Sequence, residues 1–335
     1  MKWSLSIGRF AGIPVQIHIT FIALLIWIGL SVYSTEQSVS AALSGVGFVL
    51  ALFLCVLLHE FGHALTARRF GVRTRDITLL PIGGVARLER MPDKPAQELL
   101  VALAGPAVNV VIAVTLVAAL AAAGRSVTLE SLAGAESGLT GPGFLERLLV
   151  VNIMLIVFNM LPAFPMDGGR VLRALLAMRM DYARATARAA TVGKLFAALF
   201  AVAGFFTNPF LMLIAVFVWI GASQESLAAQ TKGALDGVTV TQAMLTDFRT
   251  LSPSDSLSHA VELLLAGSQQ DFPVADEGRV MGLLTRQALL TALARNTQHL
   301  RVIDAMQRDV PHADAAEPLA EALQRMQGTP IRTMP

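Results

Sequence analysis

Long apolar runs separated by short polar segments dominate the first two thirds of this 335-residue chain. A helix needs about 20 mostly apolar residues to cross a bilayer, and six runs come close to that length or exceed it. They cover Pro14–Tyr33, Ala42–Ala67, Gln97–Ala123, Phe144–Leu161, Ala190–Phe206 and Pro209–Leu227. The pattern predicts a polytopic α-helical membrane protein with a six-span bundle. Its last two spans form a tight hairpin across Thr207 and Asn208.

Basic residues are distributed unevenly among the segments that join these runs. Residues 68–95 and 170–188 are rich in arginine, whereas residues 124–143 hold only Arg125 and residues 34–41 hold no basic residue. Because cytoplasmic loops carry an excess of Lys and Arg, this distribution predicts that both termini lie in the cytoplasm. It also places the end of the second run and the segment after the fourth run on that same side.

A short β-hairpin is predicted between the second and third runs. Residues 76–88 contain β-branched side chains around Pro81 and the pair Gly83-Gly84, which favours two strands joined by a turn. Such backbone reaches membrane depth only where it is buried in protein or lines a wet cavity. Two interpretations stay open: an edge strand that pairs with an extended substrate, or a surface hairpin without a catalytic role.

The chain changes character after residue 228, where a polar linker over 229–239 leads into a soluble tail over 240–335. The tail repeats itself after 62 residues: Gln242-Ala243-Met244 matches Asp304-Ala305-Met306, and Pro273 matches Pro335. The first copy continues as strand, turn, strand and a helix from Thr285. The second copy stops where its strand would begin. We therefore expect a small α/β domain whose second motif is truncated, with an unpaired strand edge.

Composition supports a membrane protein and excludes several other classes. The chain is 54% hydrophobic and 15% charged, whereas soluble domains average about 25% charged residues. A net charge of +2 without a basic, aromatic patch argues against nucleic-acid binding. The single cysteine, Cys55, excludes an intramolecular disulfide and a CxxC site, and its apolar surroundings indicate a buried packing residue.

The motif His59-Glu60-Phe61-Gly62-His63 lies near the end of the second run. Residues four apart share one face of a helix, so the two imidazoles can hold one zinc ion, and Glu60 is placed to handle the proton of a zinc-bound water. The alternative is two hydrogen-bonded histidines at a helix end. Histidine and glutamate are costly to place in lipid and are usually functional there, which favours the metal site.

A catalytic zinc ion usually has three protein ligands, so a third is needed from elsewhere in the chain. Asp167 is the best candidate. Pro162 and Pro165 end the fourth run and hold an extended segment, and Gly168-Gly169 let the backbone bend closely after the carboxylate. The alternative is that Asp167 caps the helix that follows, Gly168–Met178.

These motifs together resemble the site-2 protease family of intramembrane zinc metalloproteases. The resemblance rests on His59-Glu60-x-x-His63 and on Asn159-x-x-Pro162-x-x-Pro165-x-Asp167-Gly168-Gly169. Pro81-x-Gly83-Gly84 and Ala104-Gly105-Pro106-x-x-Asn109 also fit, and the tail resembles a pair of CBS motifs, as in one subgroup of the family.

The resemblance implies that His59, His63 and Asp167 bind one Zn²⁺ per chain and that Glu60 is the general base and acid. It also implies that Asn159 contacts the substrate, although a helix-packing role for Asn159 is open as well. For Gly105 and Asn109, close helix packing through a small residue and one interhelical hydrogen bond is the preferred interpretation.

The implied activity is that of a zinc endopeptidase that cleaves transmembrane segments of membrane proteins in regulated proteolysis. It would work in the lipid bilayer, in the cytoplasmic membrane if the source is bacterial. CBS pairs often bind adenine nucleotides. Here Gly282-Leu283-Leu284-Thr285 matches the ligand-side pattern, but Ala288 stands where a ribose-binding aspartate is expected, which argues against nucleotide binding. Formation of a homo-oligomer stays open.

Two other functions fit part of the pattern. A transporter or channel gated by a CBS tail would explain the spans and the tail, with the intramembrane His, Glu and Asp residues forming an ion path. It would not explain the spacing of a hydrolytic zinc site. An inactive protease that binds membrane partners is a further alternative, and the intact Glu60 argues against it.

Overall fold

A computed structural model of the chain describes residues 3–92, 94–126, 128, 143–295, 297, 299–327, 329 and 333–335. The chain divides into two compact units, Met1–Ala229 and Gln230–Pro335. The first unit consists of apolar helices and a four-stranded sheet. The second unit is a small α/β structure with a two-stranded sheet.

The helices of the first unit follow most of the predicted runs. They are α1 Ile19–Glu36, α2 Val39–Arg69, α3 Pro95–Ala122, α4 Phe144–Asn159, α5 Asp167–Ala177, α6 Tyr182–Phe206 and α7 Pro209–Leu235. Within the described part of the chain, five helices are long and apolar enough to cross a membrane, namely α1, α2, α3, α6 and α7. The fourth predicted span corresponds to α4, which has 16 residues and is shorter than a usual crossing.

Several helix boundaries differ from the predicted ones. Helix α6 begins at Tyr182, before the predicted Ala190, because Asp181 caps it by accepting a hydrogen bond from the Arg184 N–H at 2.9 Å. Helix α7 ends at Leu235, so it extends into the segment predicted as a linker. The predicted break between the last two spans is confirmed, since α6 ends at Phe206 and α7 begins at Pro209.

A four-stranded sheet flanks the helices in the order β1 Ser4–Phe10, β2 Ile13–His18, β3 Thr74–Leu80 and β4 Gly83–Leu88. Strands β3 and β4 form an antiparallel pair, which confirms the predicted hairpin. Strand β2 pairs antiparallel with β1 and parallel with β3.

The prediction that the first span begins at Pro14 is wrong, because residues 14–18 belong to β2. Ile13 and Val15 alternate with more exposed residues and point into the core, as a strand with one buried face requires. Helix α1 begins only after His18, whose Nδ1 accepts a hydrogen bond from the Thr20 N–H at 3.3 Å.

Helices α2 and α3 pack closely and run in opposite directions. His63, near the end of α2, contacts Val101 near the start of α3, whereas Phe48 packs against Leu116 near the other end. At Gly62 the helices are so close that an added Cβ would lie 2.6 Å from the Ala104 carbonyl oxygen. This packing places the middle of α3 beside the histidine motif.

The second unit confirms the elements predicted for the first copy of the repeat. Strands β5 Phe272–Asp276 and β6 Arg279–Leu284 pair antiparallel, and a helix, Arg286–Ala294, follows with Thr285 as its cap. The described residues of this unit form four further helices, Val240–Ala243, Leu257–Ala266, Val302–Ala305 and Leu319–Gln327. A cavity of about 420 Å³ has Ala288 and Asp304 among its lining residues. The absence of nucleotide binding, expected from Ala288, stays a prediction.

Candidate metal centre

His59 and His63 lie one turn apart on α2, and both side chains are buried. Their Nε2 atoms are 3.1 Å apart. Helix α2 continues past them to Arg68 and Arg69, whose positive charges are favourable in the last turn of a helix. A long apolar helix with a basic end therefore carries both imidazoles on one face.

Asp167, the first residue of α5, completes the cluster. Its Oδ2 lies 3.1 Å from His59 Nε2 and 3.0 Å from His63 Nε2. The alternative that Asp167 caps its own helix is wrong, because the N-cap position is taken by Met166 and the carboxylate faces the imidazoles.

The glycines after Asp167 allow the preceding loop to fold against the start of α5. An added Cβ at Gly169 would lie 2.7 Å from the carbonyl carbon of Ala163, and one at Gly168 would overlap the backbone of Met160 and Leu161. The peptide bond between Phe164 and Pro165 is cis. The predicted role of the glycine pair, a close backbone bend beside the carboxylate, agrees with this arrangement.

Asp167 is held in its charged form. Burial raises the pKa of its carboxyl group, but hydrogen bonds with His59 and His63 and the nearby charge of Arg170 lower it further, so the net pKa is below the usual value. A deprotonated carboxylate is the form that binds a metal ion.

The three residues fit a zinc ion. Two imidazole nitrogens and one carboxylate oxygen, all buried and within 4.8 Å of one another, form a donor set that zinc accepts in catalytic sites. His63 Nδ1 donates to the Val101 carbonyl oxygen at 2.7 Å, which leaves Nε2 as the unprotonated nitrogen. Gly105 makes room for the cluster, since an added Cβ there would lie 2.7 Å from His59 Nε2 and would overlap His63 Nε2.

Glu60 follows His59 directly and is held by strand β4. Its Oε2 accepts a hydrogen bond from the Ala86 N–H at 3.1 Å. Gly84, on the same strand, packs against the Glu60 side chain so closely that an added Cβ would lie 2.8 Å from Glu60 Cγ. The hairpin therefore fixes the orientation of the carboxylate beside the histidine cluster.

Asn159 is the last residue of α4 and is half-buried. Its Nδ2 donates to the carbonyl oxygen of Leu155, in its own helix, at 2.9 Å. The described hydrogen bonds do not join it to His59, His63 or Asp167. A contact between Asn159 and substrate stays a prediction.

Sequence reasoning missed a buried ion network behind the cluster. The Arg173 side chain, on the same helix as Asp167, is 2% exposed and donates to Glu98 of α3 at 2.7 Å and to Glu225 of α7 at 2.8 Å. Burial alone would lower the pKa of Arg173, but the carboxylates, Glu98 first, raise it above its usual value. The available signal was an acidic residue inside two of the apolar runs.

We expect the variant Arg173→Met to destabilise the protein by about 3–5 kcal/mol, because it leaves the buried carboxylate of Glu98 without its partner. Thermal unfolding of the purified protein in detergent measures the effect. The control is Arg184→Met, since Arg184 is 82% exposed and pairs with Asp181, a surface pair worth about 1 kcal/mol or less. Equal losses for the two variants would show that the network does not hold α5.

Models of two protein families match separate parts of the chain. The model of Peptidase family M50 matches residues 47–202, and that of the CBS domain matches residues 240–295. Zinc metalloprotease MJ0392 of Methanocaldococcus jannaschii is 33% identical over 85% of this chain and 78% of its own length. Rip3 of Mycobacterium tuberculosis is 30% identical over 97% of this chain and 86% of its own length.

Among solved structures, the site-2 protease from Methanocaldococcus jannaschii aligns with a TM-score of 0.48 and 32% identity, over 74% of this chain and 99% of that one. The sequence relatives confirm the resemblance to site-2 proteases and zinc as the cofactor, and they do not favour the transporter or channel. The chain therefore belongs to peptidase family M50 and is an intramembrane zinc metalloprotease that carries a CBS domain.

Proposed function

We propose that the zinc ion is held by His59, His63 and Asp167, that Glu60 is the general base and acid, and that the substrate is a transmembrane segment of another membrane protein. The observation that carries this proposal is the meeting of three buried ligand atoms, one from each of these residues, directly beside a glutamate. The histidines and Glu60 lie on a helix apolar enough to span a membrane.

Zinc and Glu60 have separate roles in the proposed peptide hydrolysis. When bound, zinc lowers the pKa of a water molecule and polarises a carbonyl oxygen. The Glu60 carboxylate accepts a proton from the attacking water as the water oxygen bonds to the scissile carbonyl carbon. It then delivers that proton to the leaving amide nitrogen as the C–N bond breaks. The hydrogen bond from the Ala86 N–H keeps the carboxylate in position for both transfers.

Strand β4 is proposed to present the substrate. It lies at one edge of the sheet, and the Ala86 N–H on that strand reaches Glu60, so the unpaired side of β4 runs past the base. A transmembrane helix hides its carbonyl groups in internal hydrogen bonds and must unwind before it can be cut. An unwound segment paired with β4 would be extended beside Glu60, which favours the first of the two interpretations of the hairpin.

The proposed topology has six crossings, with both termini and the CBS tail in the cytoplasm, and the loop charges support it. Helix α4, with 16 residues, is about 24 Å long at 1.5 Å per residue, so it would be a short crossing. We also propose the domain limits 1–228, 229–239 and 240–335, with the first part of the linker helical because α7 reaches Leu235.

The zinc content of the purified protein tests the proposed site, and Gly105→Ala is the variant that should disturb this site most directly. We expect purified wild-type protein to hold about one zinc per chain, as three-ligand catalytic sites do. Gly105→Ala should lose most of that zinc and about 100-fold in cleavage, because its Cβ displaces both imidazoles and a misplacement of about 1 Å costs that much.

The matched control is Gly47→Ala on α2, where an added Cβ meets nothing within 4 Å. This variant should keep both zinc and activity. Elemental analysis of the purified proteins gives the metal content. A wild-type protein without tightly bound zinc would contradict the proposal and would favour the transporter or channel.

A further inference from the structure

Two buried polar groups, the Asn109 amide and the Nδ1 atom of the proposed ligand His59, lack hydrogen bonds within the described residues. Asn109 on α3 is fully buried, and neither its Nδ2 nor its Oδ1 has a partner in the described part of the chain. His59 Nδ1 is buried and likewise has no partner there. Because buried polar groups are normally paired with protein or ordered water, the two groups need an explanation.

The packing of α3 against α2 places Asn109 on the side of His59. Val101, Gly105 and Asn109 occupy successive turns of one face of α3. Val101 accepts the hydrogen bond of His63 Nδ1, and Gly105 lies against the Nε2 atoms of both histidines. Asn109 lies about 6 Å beyond Gly105 along the helix axis.

The antiparallel packing of α2 and α3 determines which residues of α2 lie next to Asn109. Helices α2 and α3 run in opposite directions. Moving along α3 from Gly105 to Asn109 therefore corresponds to moving along α2 from His63 toward His59 and Cys55. Val101, one turn before Gly105, accepts the hydrogen bond of His63 Nδ1. Asn109 lies one turn after Gly105, in the direction of His59.

A second buried amide, that of Asn152, lies near the same part of α2. Asn152 of α4 is fully buried, and its Nδ2 lies 3.5 Å from the sulfur of Cys55, one turn before His59. Its Oδ1 has no partner among the residues that the structure describes. The surroundings of this turn are therefore polar enough to hold an ordered water, which needs two to four polar partners.

We propose that Asn109 is a positioning residue for His59: its Oδ1 accepts the hydrogen of His59 Nδ1, directly or through one buried water. This bond keeps His59 Nε2 unprotonated and aimed at the metal, as Val101 does for His63. Metal-binding histidines almost always donate their other ring N–H to such an acceptor. The inference rests on the proposed zinc site, and it replaces the packing role predicted for Asn109 from the sequence.

Zinc affinity of the purified full-length protein, measured by competition with a chelator, tests the proposal without any use of activity. Asn109→Leu, which keeps the size but removes the acceptor, should weaken zinc binding about 10–100-fold. Asn109→Asp keeps an oxygen at the same position and should bind zinc within about threefold of wild type.

The control is Leu116→Ala, which creates a cavity on the same helix, two turns from Asn109, and destabilises the fold without touching His59. It should leave zinc affinity unchanged. The proposal is overturned if Asn109→Leu binds zinc as tightly as wild type, or if Leu116→Ala or Asn109→Asp weakens binding as much as Asn109→Leu. A wild-type protein that binds no zinc would overturn the proposed function, and this inference with it.

Discussion

Glu60→Gln is expected to abolish cleavage and to leave the zinc in place. Glutamine has the same shape, and its side-chain oxygen can still accept the hydrogen bond from the Ala86 N–H, so the hairpin keeps its position. An amide cannot take a proton from the attacking water. Loss of general acid–base catalysis should lower the cleavage rate about 10²–10⁴-fold.

Glu89→Gln is the matched control, because Glu89 is an exposed carboxylate just beyond strand β4. It should cleave at the wild-type rate. Cleavage of a reconstituted transmembrane substrate and zinc content are measured on the same preparations. Full cleavage by Glu60→Gln would refute the role of Glu60, and loss of zinc from that variant would make Glu60 part of the metal site.

Asp167→Asn is expected to release the zinc and, with it, all activity. The variant replaces a charged ligand by a neutral amide of the same size, and it removes the contact of Oδ2 with both histidines. Outer hydrogen-bond partners of metal ligands are worth about 10–100-fold in affinity, so the loss of a ligand should exceed about 100-fold. The helix itself should persist, because Asp167 does not cap it.

Asp181→Asn serves as the control for the loss of one carboxylate near a helix start. Asparagine is as good an N-cap as aspartate, so α6 should be unchanged and zinc affinity should match wild type. Chelator competition measures both variants. Unchanged zinc binding by Asp167→Asn would exclude Asp167 as a ligand.

The metal cluster could be predicted because its signals are local. His59 and His63 are four residues apart, and a helix alone brings them to one face. Asp167 is far away in the sequence, but prolines before it and glycines after it mark an unusual backbone, and zinc chemistry requires a third ligand. The contact of Gly105 with the imidazoles needed the packing of α2 against α3, which no local pattern contains.

Strand β2 was missed because an apolar strand and an apolar span look alike over a few residues. Ile13, Val15 and Ile17 alternate with other residues, but they lead directly into the apolar helix α1. The two partners of Arg173 could not be predicted from the sequence for a different reason. Its bonds to Glu98 and Glu225 join helices far apart in the sequence, and only the fold decides which charges meet.

Hydrolysis of peptide bonds inside transmembrane segments is the activity that we propose for this zinc site. Mass spectrometry of membrane proteins, with mapping of chain termini, tests it most directly in cells that express either the wild type or Glu60→Gln. We expect intact or partly trimmed transmembrane proteins to accumulate with Glu60→Gln, and new termini within their membrane segments to appear only with the wild type. Identical membrane proteomes, or new termini confined to soluble segments, would contradict it.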